Sequence, residues 1–221
     1  GPNKITIENE LPGTPRSVWG IEGDGDENIQ GFATDISVNV GETIDFKINT
    51  NSTNYRIDIY RIGYYGGDGA RLVDSIVRQL AQPQTQPAPL IDAQRGLVDA
   101  GNWAVSVSWT VPGDAVSGIY FARLERQDAT PGESMIPFVV RDDNAQSEVV
   151  FQTSDTPWQA YNACGGASLY ENHLPDGVDH RAYAVSYNRP LKIMTAIFGG
   201  PWDFIFTAEY AAVRWLERNG Y

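Results

Sequence analysis

From Thr34 to about Thr153 apolar residues recur at every second position between clusters of Gly, Pro, Asn and Asp. That alternation restricts most of the chain to half-buried antiparallel strands, because successive side chains of a strand point to opposite faces. In Thr43 to Ile48, Ile44, Phe46 and Ile48 share one face while Thr43, Asp45 and Lys47 take the other. Tyr55, Ile57 and Ile59 alternate with Arg56, Asp58 and Tyr60, and Trp103, Val105, Val107 and Trp109 with Ala104, Ser106 and Ser108. Further strands are predicted at Ile5 to Asn9, Leu72 to Arg78, Gly118 to Arg126 and Met135 to Arg141. A count of about seven or eight short strands with no helix between them is the pattern of a β-sandwich.

Two stretches break the pattern. Gln82 to Pro89 alternates Gln with Pro, lacks the backbone donors of a central strand and reads as an exposed loop. The polar break Asp142-Asp143-Asn144 ends the strand region and divides the chain into residues 3–143 and 144–221. Beyond it Glu148 to Gln152 reads as a short strand, followed by Gly- and Asn-rich sequence and a final helix. Ala208, Ala211, Ala212, Trp215 and Leu216 form that helix's apolar face, Thr207 its cap and Gly220 its stop, with Glu209 favouring its positive end. A strand leading to a helix opens an α/β unit, and a parallel sheet needs several, so the second part is expected to be incomplete.

Sixteen Lys and Arg against 28 Asp and Glu give a formal charge of −12. Such a chain repels phosphate backbones, so no nucleic acid and no anionic membrane is expected as a partner. No apolar run approaches the ~18 residues of a membrane span. The single cysteine, Cys164, has no internal partner for a disulfide.

Several groupings invite chemistry. The glycine cluster Gly63 to Arg71 lacks the strand-to-helix context of a phosphate cradle and reads as a hairpin connection. Asp24, Asp26, Asn28 and Asp35 mimic calcium-loop spacing, but Ile29 stands where the sharp turn wants glycine, so a solvated acidic turn is preferred. Cys164 with His173 and His180 matches no zinc spacing and reads as structural. There remain the aromatic and amide-rich runs Thr156 to Asn162, Ser168 to Tyr170 and Arg181 to Pro190. Dense tyrosine is packing or a sugar- or peptide-contacting surface, and a phenol ligates a metal only when a hard, highly charged cation lowers its pKa far below ~10.

These runs also carry a resemblance. Gln30 to Ser37, Tyr55 to Tyr65, Gly101 to Ser106, Ile136 to Arg141, Phe151 to Asn162, Val185 to Pro190 and Glu209-Tyr210 with Arg214-Trp215-Leu216 are similar to proteins related to the large subunit of N,N-dimethylformamidase. The resemblance covers nearly the whole chain. It implies an immunoglobulin-like β-sandwich followed by an amidotransferase-like α/β domain, here a partial α/β segment, in an overall mainly β chain. It implies a mononuclear iron amidohydrolase whose Fe(III) is held by two tyrosinates and one glutamate. The tyrosines fall at Tyr161, in Trp-Gln-Ala-Tyr-Asn, and Tyr187, in Ser-Tyr-Asn-Arg-Pro, with Tyr183 as the fallback for the second. Asn162 and Asn188, next to them, would hold the attacking water or the oxyanion.

The family's glutamate lies in a downstream His-x-Glu-Tyr-Trp-like segment. Glu209-Tyr210 lacks that His and Trp, so the role is not carried to Glu209. Many relatives carry two cysteines near the positions of Pro89 and Ala100, and this chain has neither. The expectation is therefore a family member acting on a small amide substrate, or, alternatively, a non-catalytic module binding a protein partner or glycan through the sandwich and its Tyr/Trp-rich segment. Apolar surface at Trp202, Phe204, Phe206 and Trp215 predicts association with another chain, as an oligomer or as part of a longer protein.

Overall fold

The computed structural model describes residues 3–21, 23–175, 181–192 and 205–221, with the backbone alone for 207 and 208. Among these residues ten strands run in order: β1 Ile29–Ala33, β2 Ser37–Asn39, β3 Thr43–Thr50, β4 Asn54–Ile62, β5 Ala70–Gln79, β6 Leu90–Asp92, β7 Leu97–Asp99, β8 Val107–Thr110, β9 Gly118–Arg126 and β10 Glu133–Arg141. Four α-helices frame them: α1 Lys4–Asn9, α2 Arg16–Trp19, α3 Asp155–Tyr161 and α4 Tyr210–Arg218, the last preceded by a π-helical turn at Ile205–Glu209.

A three-stranded sheet, β1-β3-β8, faces a five-stranded sheet, β2-β10-β9-β4-β5. Ile44, Phe46, Ile48 and Trp109 of the first interleave with Tyr55, Ile57, Ile59, Tyr120, Leu124 and Phe138 of the second in one buried core. The alternation in the sequence makes this possible, since Tyr55, Ile57 and Ile59 of β4 all lie in that core. Pro137 is tolerated inside β10 because of where its missing donor falls. The Val139 amide, two residues on, reaches Ile36 beyond the start of β2, so the Pro137 nitrogen faces the open edge before β2 begins.

The outer face of the five-stranded sheet is covered as well. Tyr60, Ile62, Ile119, Phe121 and Met135 pack against Trp19, Trp158, Ile205, Tyr210 and Val213, so the C-terminal segment lies on the sandwich as a third layer. The Gly63 to Arg71 cluster is the β4–β5 hairpin connection, with a 3-10 turn at Tyr65–Gly67. The Gln/Pro stretch is an exposed loop tied down by several bonds: Gln86 Nε2 donates to the Ile48 and Ala104 carbonyls, its Oε1 accepts from the Ala104 N–H, and the Pro87 and Ala88 carbonyls accept from Trp103 Nε1 and Asn102 Nδ2.

Four expectations change. Ile5 to Asn9 is helical, because the Asn3 side chain accepts from the Thr6 amide and caps a turn that buries Glu8. The Trp103 strand shortens to β8: the Ser106 hydroxyl accepts from the Ile48 N–H and donates to its carbonyl, which turns Val105 outward. Glu148 to Gln152 forms no strand and is exposed. Helix α4 buries Tyr210, Val213 and Glu217, while Ala211, Ala212 and Trp215 face solvent. Thr207 does not cap α4: it lies inside the π-helical turn, and Glu209 takes the N-cap position. The side chains of 207 and 208, and Trp202, Phe204 and His180, lie outside what is described. Phe206 packs against Trp19 and Phe121.

Candidate functional site

The Tyr161 and Tyr187 runs fold against each other beside the sandwich. Helix α3 follows Ser154 at its N-cap position and tolerates Pro157 because a proline in the first turn forfeits an N–H that has no intrahelical partner. Ser154 makes no side-chain cap; instead Glu209 Oε1, from the π-helical turn, accepts from the Ser154 N–H at 3.0 Å and from Trp158 Nε1 at 3.2 Å. Its Oε2 is buried and has no hydrogen-bond partner among the described residues. After α3 the chain reverses through Gly165 (φ 83°) and Gly166 (φ 106°), and a Cβ on Gly165 would lie 2.5 Å from Val98 of β7. Glycine is required there both by the left-handed backbone and by the close approach.

Arg189 is the hub. Its side chain is buried, with the residue 1% exposed, and donates through Nε to the Ser186 carbonyl, through Nη1 to those of Cys164 and Ala167, and through Nη2 to that of Gln159. No carboxylate pairs with it among the described residues. Burial lowers its pKa to about 10. Asn162 crosses in the opposite direction: its Nδ2 donates to the Pro190 carbonyl and its Oδ1 accepts from the Cys164 and Lys192 amides.

The loop that carries Tyr187 is tied to β7 through Asp99. Asp99 Oδ2 accepts from the Ser186 hydroxyl at 2.6 Å and from Asn188 Nδ2 at 3.4 Å, and Oδ1 accepts from the Gly101 amide. Burial pushes the Asp99 pKa up, but these bonds and the Lys47 charge outweigh it and hold the carboxyl below its ordinary value.

Tyr187 is exposed, and its hydroxyl donates to Asp155 Oδ2 at 2.6 Å, while Thr153 Oγ1 donates to Asp155 Oδ1. Partial burial and then the Asp155 charge push the Tyr187 phenol up to about 12. Tyr187 thus reaches the first residue of α3, and Tyr161 is its last. The Tyr161 ring lies flat on Tyr170, centroids 4.2 Å apart at 11°. Asn162 is fully buried with its oxygen filled by two backbone amides, whereas Asn188 is half-buried. Tyr183 is exposed beneath Arg181.

Burial raises the pKa of Cys164, and His173 pairs with Glu171 at the surface, so no thiol–imidazole pair is formed between them. The acidic positions 24 to 35 are engaged separately: Asp26 accepts from the Glu133 amide, Asn28 donates to the Pro131 carbonyl, and Asp35 accepts from Thr34. Among the described residues no three His, Cys, Asp or Glu side chains come together to hold a metal, and no helix is long and apolar enough to cross a membrane. Three residues escape a reading from sequence. Arg189 looks like any charged loop residue, Asp99 like a strand end and Asp155 like a favourable first-turn acid. Only the fold brings their partners to them.

The phenols of the tyrosine runs fit a hard cation in kind, since phenol and carboxylate oxygens are the donors such an ion prefers.

Fold and site together define a β-sandwich protein overlaid by a loop-and-helix layer, in which two tyrosine-bearing runs are cross-tied by a buried arginine. The family model described as N,N-dimethylformamidase beta subunit-like, C-terminal, matches residues 56–221, from inside β4 to the last residue. The chain belongs to that family. None of the curated proteins matches it. Among solved structures, domain 1 of VCBP3 from Branchiostoma floridae is 12% identical and covers 54% of this chain and 98% of that one, at a TM-score of 0.30.

Proposed function

We propose that this chain contributes to hydrolysis of the C–N bond of small, non-peptide amides, with Tyr161 and Tyr187 as ligands of an Fe(III) ion. Family membership supports the reaction class. The observation that carries the residue assignment is the cross-tie: Arg189 and Asn162 each bond from one tyrosine run to the other. When bound, such an ion would polarise the amide carbonyl and lower the pKa of a bound water. Asp155 Oδ2 already accepts the Tyr187 O–H, so an acceptor stands ready for the proton that the phenol gives up on ligation. Asn188 is the amide to orient a water or oxyanion in this reading, because both the Nδ2 and the oxygen of Asn162 are taken by backbone, while the Asn188 Nδ2 reaches Asp99 at 3.4 Å. In this reading the sandwich is immunoglobulin-like and residues 144–221 open an α/β domain.

The test is amine release from simple N-alkyl amides by iron-reconstituted protein. Release is expected to fall at least 100-fold in Tyr161→Phe and in Tyr187→Phe, about the contribution of a lost catalytic group. Release undiminished in both variants would overturn the assignment.

A second reading has its own observation. Val150 is 88% exposed and Tyr170, Tyr183 and Trp215 are each more than half exposed, which suits a surface that docks a protein partner or glycan. Retention on partner or glycan matrices without amine release would favour it.

A further inference from the structure

We infer that Arg189 is a positioning residue that locks the Tyr161 and Tyr187 runs into one fixed arrangement before any metal binds. The inference rests on the reading above only for what the two tyrosines do; the clamp itself stands on geometry. The four carbonyls that receive the guanidinium come from three places: Gln159 inside α3, Cys164 and Ala167 on either side of the glycine reversal, and Ser186 next to Tyr187. A single planar group therefore fixes the end of α3, the turn after it and the Tyr187 loop relative to one another. Asn162 completes the cross-tie from the other side through Pro190 and Lys192.

A buried cation with no carboxylate beside it is costly unless fixed dipoles replace its hydration. Here the backbone carbonyls do so, and they must stay in place to keep doing it. The coupling runs both ways: the charge orders the loops because the loops are what solvate it. Loops organised by a metal would instead lose order when the metal is removed. Lysine cannot substitute, because three donors radiating from one point do not span four carbonyls that a rigid fork reaches.

Cys164 supplies a native reporter, since its carbonyl is one of the four and its side chain is buried. The experiment compares wild type, Arg189→Lys and Asn162→Ala in chelator and with added Fe(III). Thiol labelling rate, segment-resolved hydrogen exchange and the tyrosinate-to-iron absorption band are followed. Wild-type protein in chelator is expected to label Cys164 slowly. Arg189→Lys is expected to label at least tenfold faster and to lose protection together in residues 159–167 and 185–191, while β4 and β9 keep theirs. Its iron band is expected to weaken or shift, whereas that of a sandwich control, Ile57→Val, is unchanged.

Slow labelling in Arg189→Lys, or protection lost evenly through the sandwich, overturns the clamp. Fast labelling of wild type in chelator that iron alone suppresses also overturns it, while leaving the metal reading intact. The converse result, a clamp behaving as expected in protein that takes up no iron, supports the inference and removes the metal reading.

Discussion

The guanidinium of Arg61 and the carboxylate of Glu217, 156 positions apart, meet as a buried two-pronged ion pair, with Nη2–Oε1 at 2.7 Å and Nη1–Oε2 at 2.9 Å. Arg61 belongs to β4 and Glu217 to α4, so the pair joins the sandwich to its outer layer. Helix α1 closes over it: Asn9 Nδ2 donates to Glu217 Oε2, and Tyr65 donates to Glu8 while accepting from Arg61. Removing one partner strands the other in a dry site. Glu217→Ala is expected to cost roughly 3–5 kcal/mol in urea unfolding, and Glu217→Gln less. A loss below about 1 kcal/mol would show that the C-terminal helix is not anchored through this pair.

Helix α4 gives a prediction opposite to its own hydrophobic pattern. Trp215 faces solvent while Val213 is buried against the sheet. Trp215→Gln is expected to change stability by no more than about 0.5 kcal/mol, and Val213→Ala to cost about 1–3 kcal/mol. Thermal unfolding of the two variants measures both, and a reversed order would place the helix the other way round.

Asp99 sets an acid limit on the Tyr187 loop. Its folded pKa lies below the ordinary value, so the stabilisation is fully present above the unfolded pKa of about 4 and is lost as pH falls through the folded value. Hydrogen exchange of residues 185–191 is expected to rise as pH drops from about 6 to about 3, after correction for intrinsic rates. Asp99→Asn should flatten that dependence. Unchanged pH dependence in the variant would assign the acid limit to another group.

Gln86 makes three backbone bonds from the proline loop, so Gln86→Ala leaves the Ala104 N–H and carbonyl without this partner, while the Ile48 carbonyl keeps the Ser106 hydroxyl. The expected cost is about 1–3 kcal/mol, with faster proteolysis confined to residues 81–89. Cleavage elsewhere in the sandwich would contradict a local role.

The sandwich is readable in sequence because period-two alternation in β3 and at the start of β4 records which face is buried. The orientation of α4 is not readable. Its small and aromatic residues imply one buried face, yet the pairing of Glu217 with Arg61 turns the helix so that a glutamate points inward. Helix α1 is missed for a related reason: Ile5 and Ile7 resemble a strand locally, and the Asn3 cap and the burial of Glu8 decide otherwise. The tyrosines of the site stand out as a composition bias. Arg189, Asp99 and Asp155 do not, because each gains its role from carbonyls or hydroxyls far away in sequence.

The central claim is that Tyr161 and Tyr187 act together on one ferric ion. Titration of Fe(III) into apo-protein, followed by tyrosinate-to-iron absorption and bound-metal analysis, tests it most directly. One equivalent is expected to bind with a visible charge-transfer band that weakens in Tyr161→Phe, weakens in Tyr187→Phe and disappears in the double variant. A band of full intensity in the double variant, or stoichiometric iron with no such band in the wild type, would contradict it.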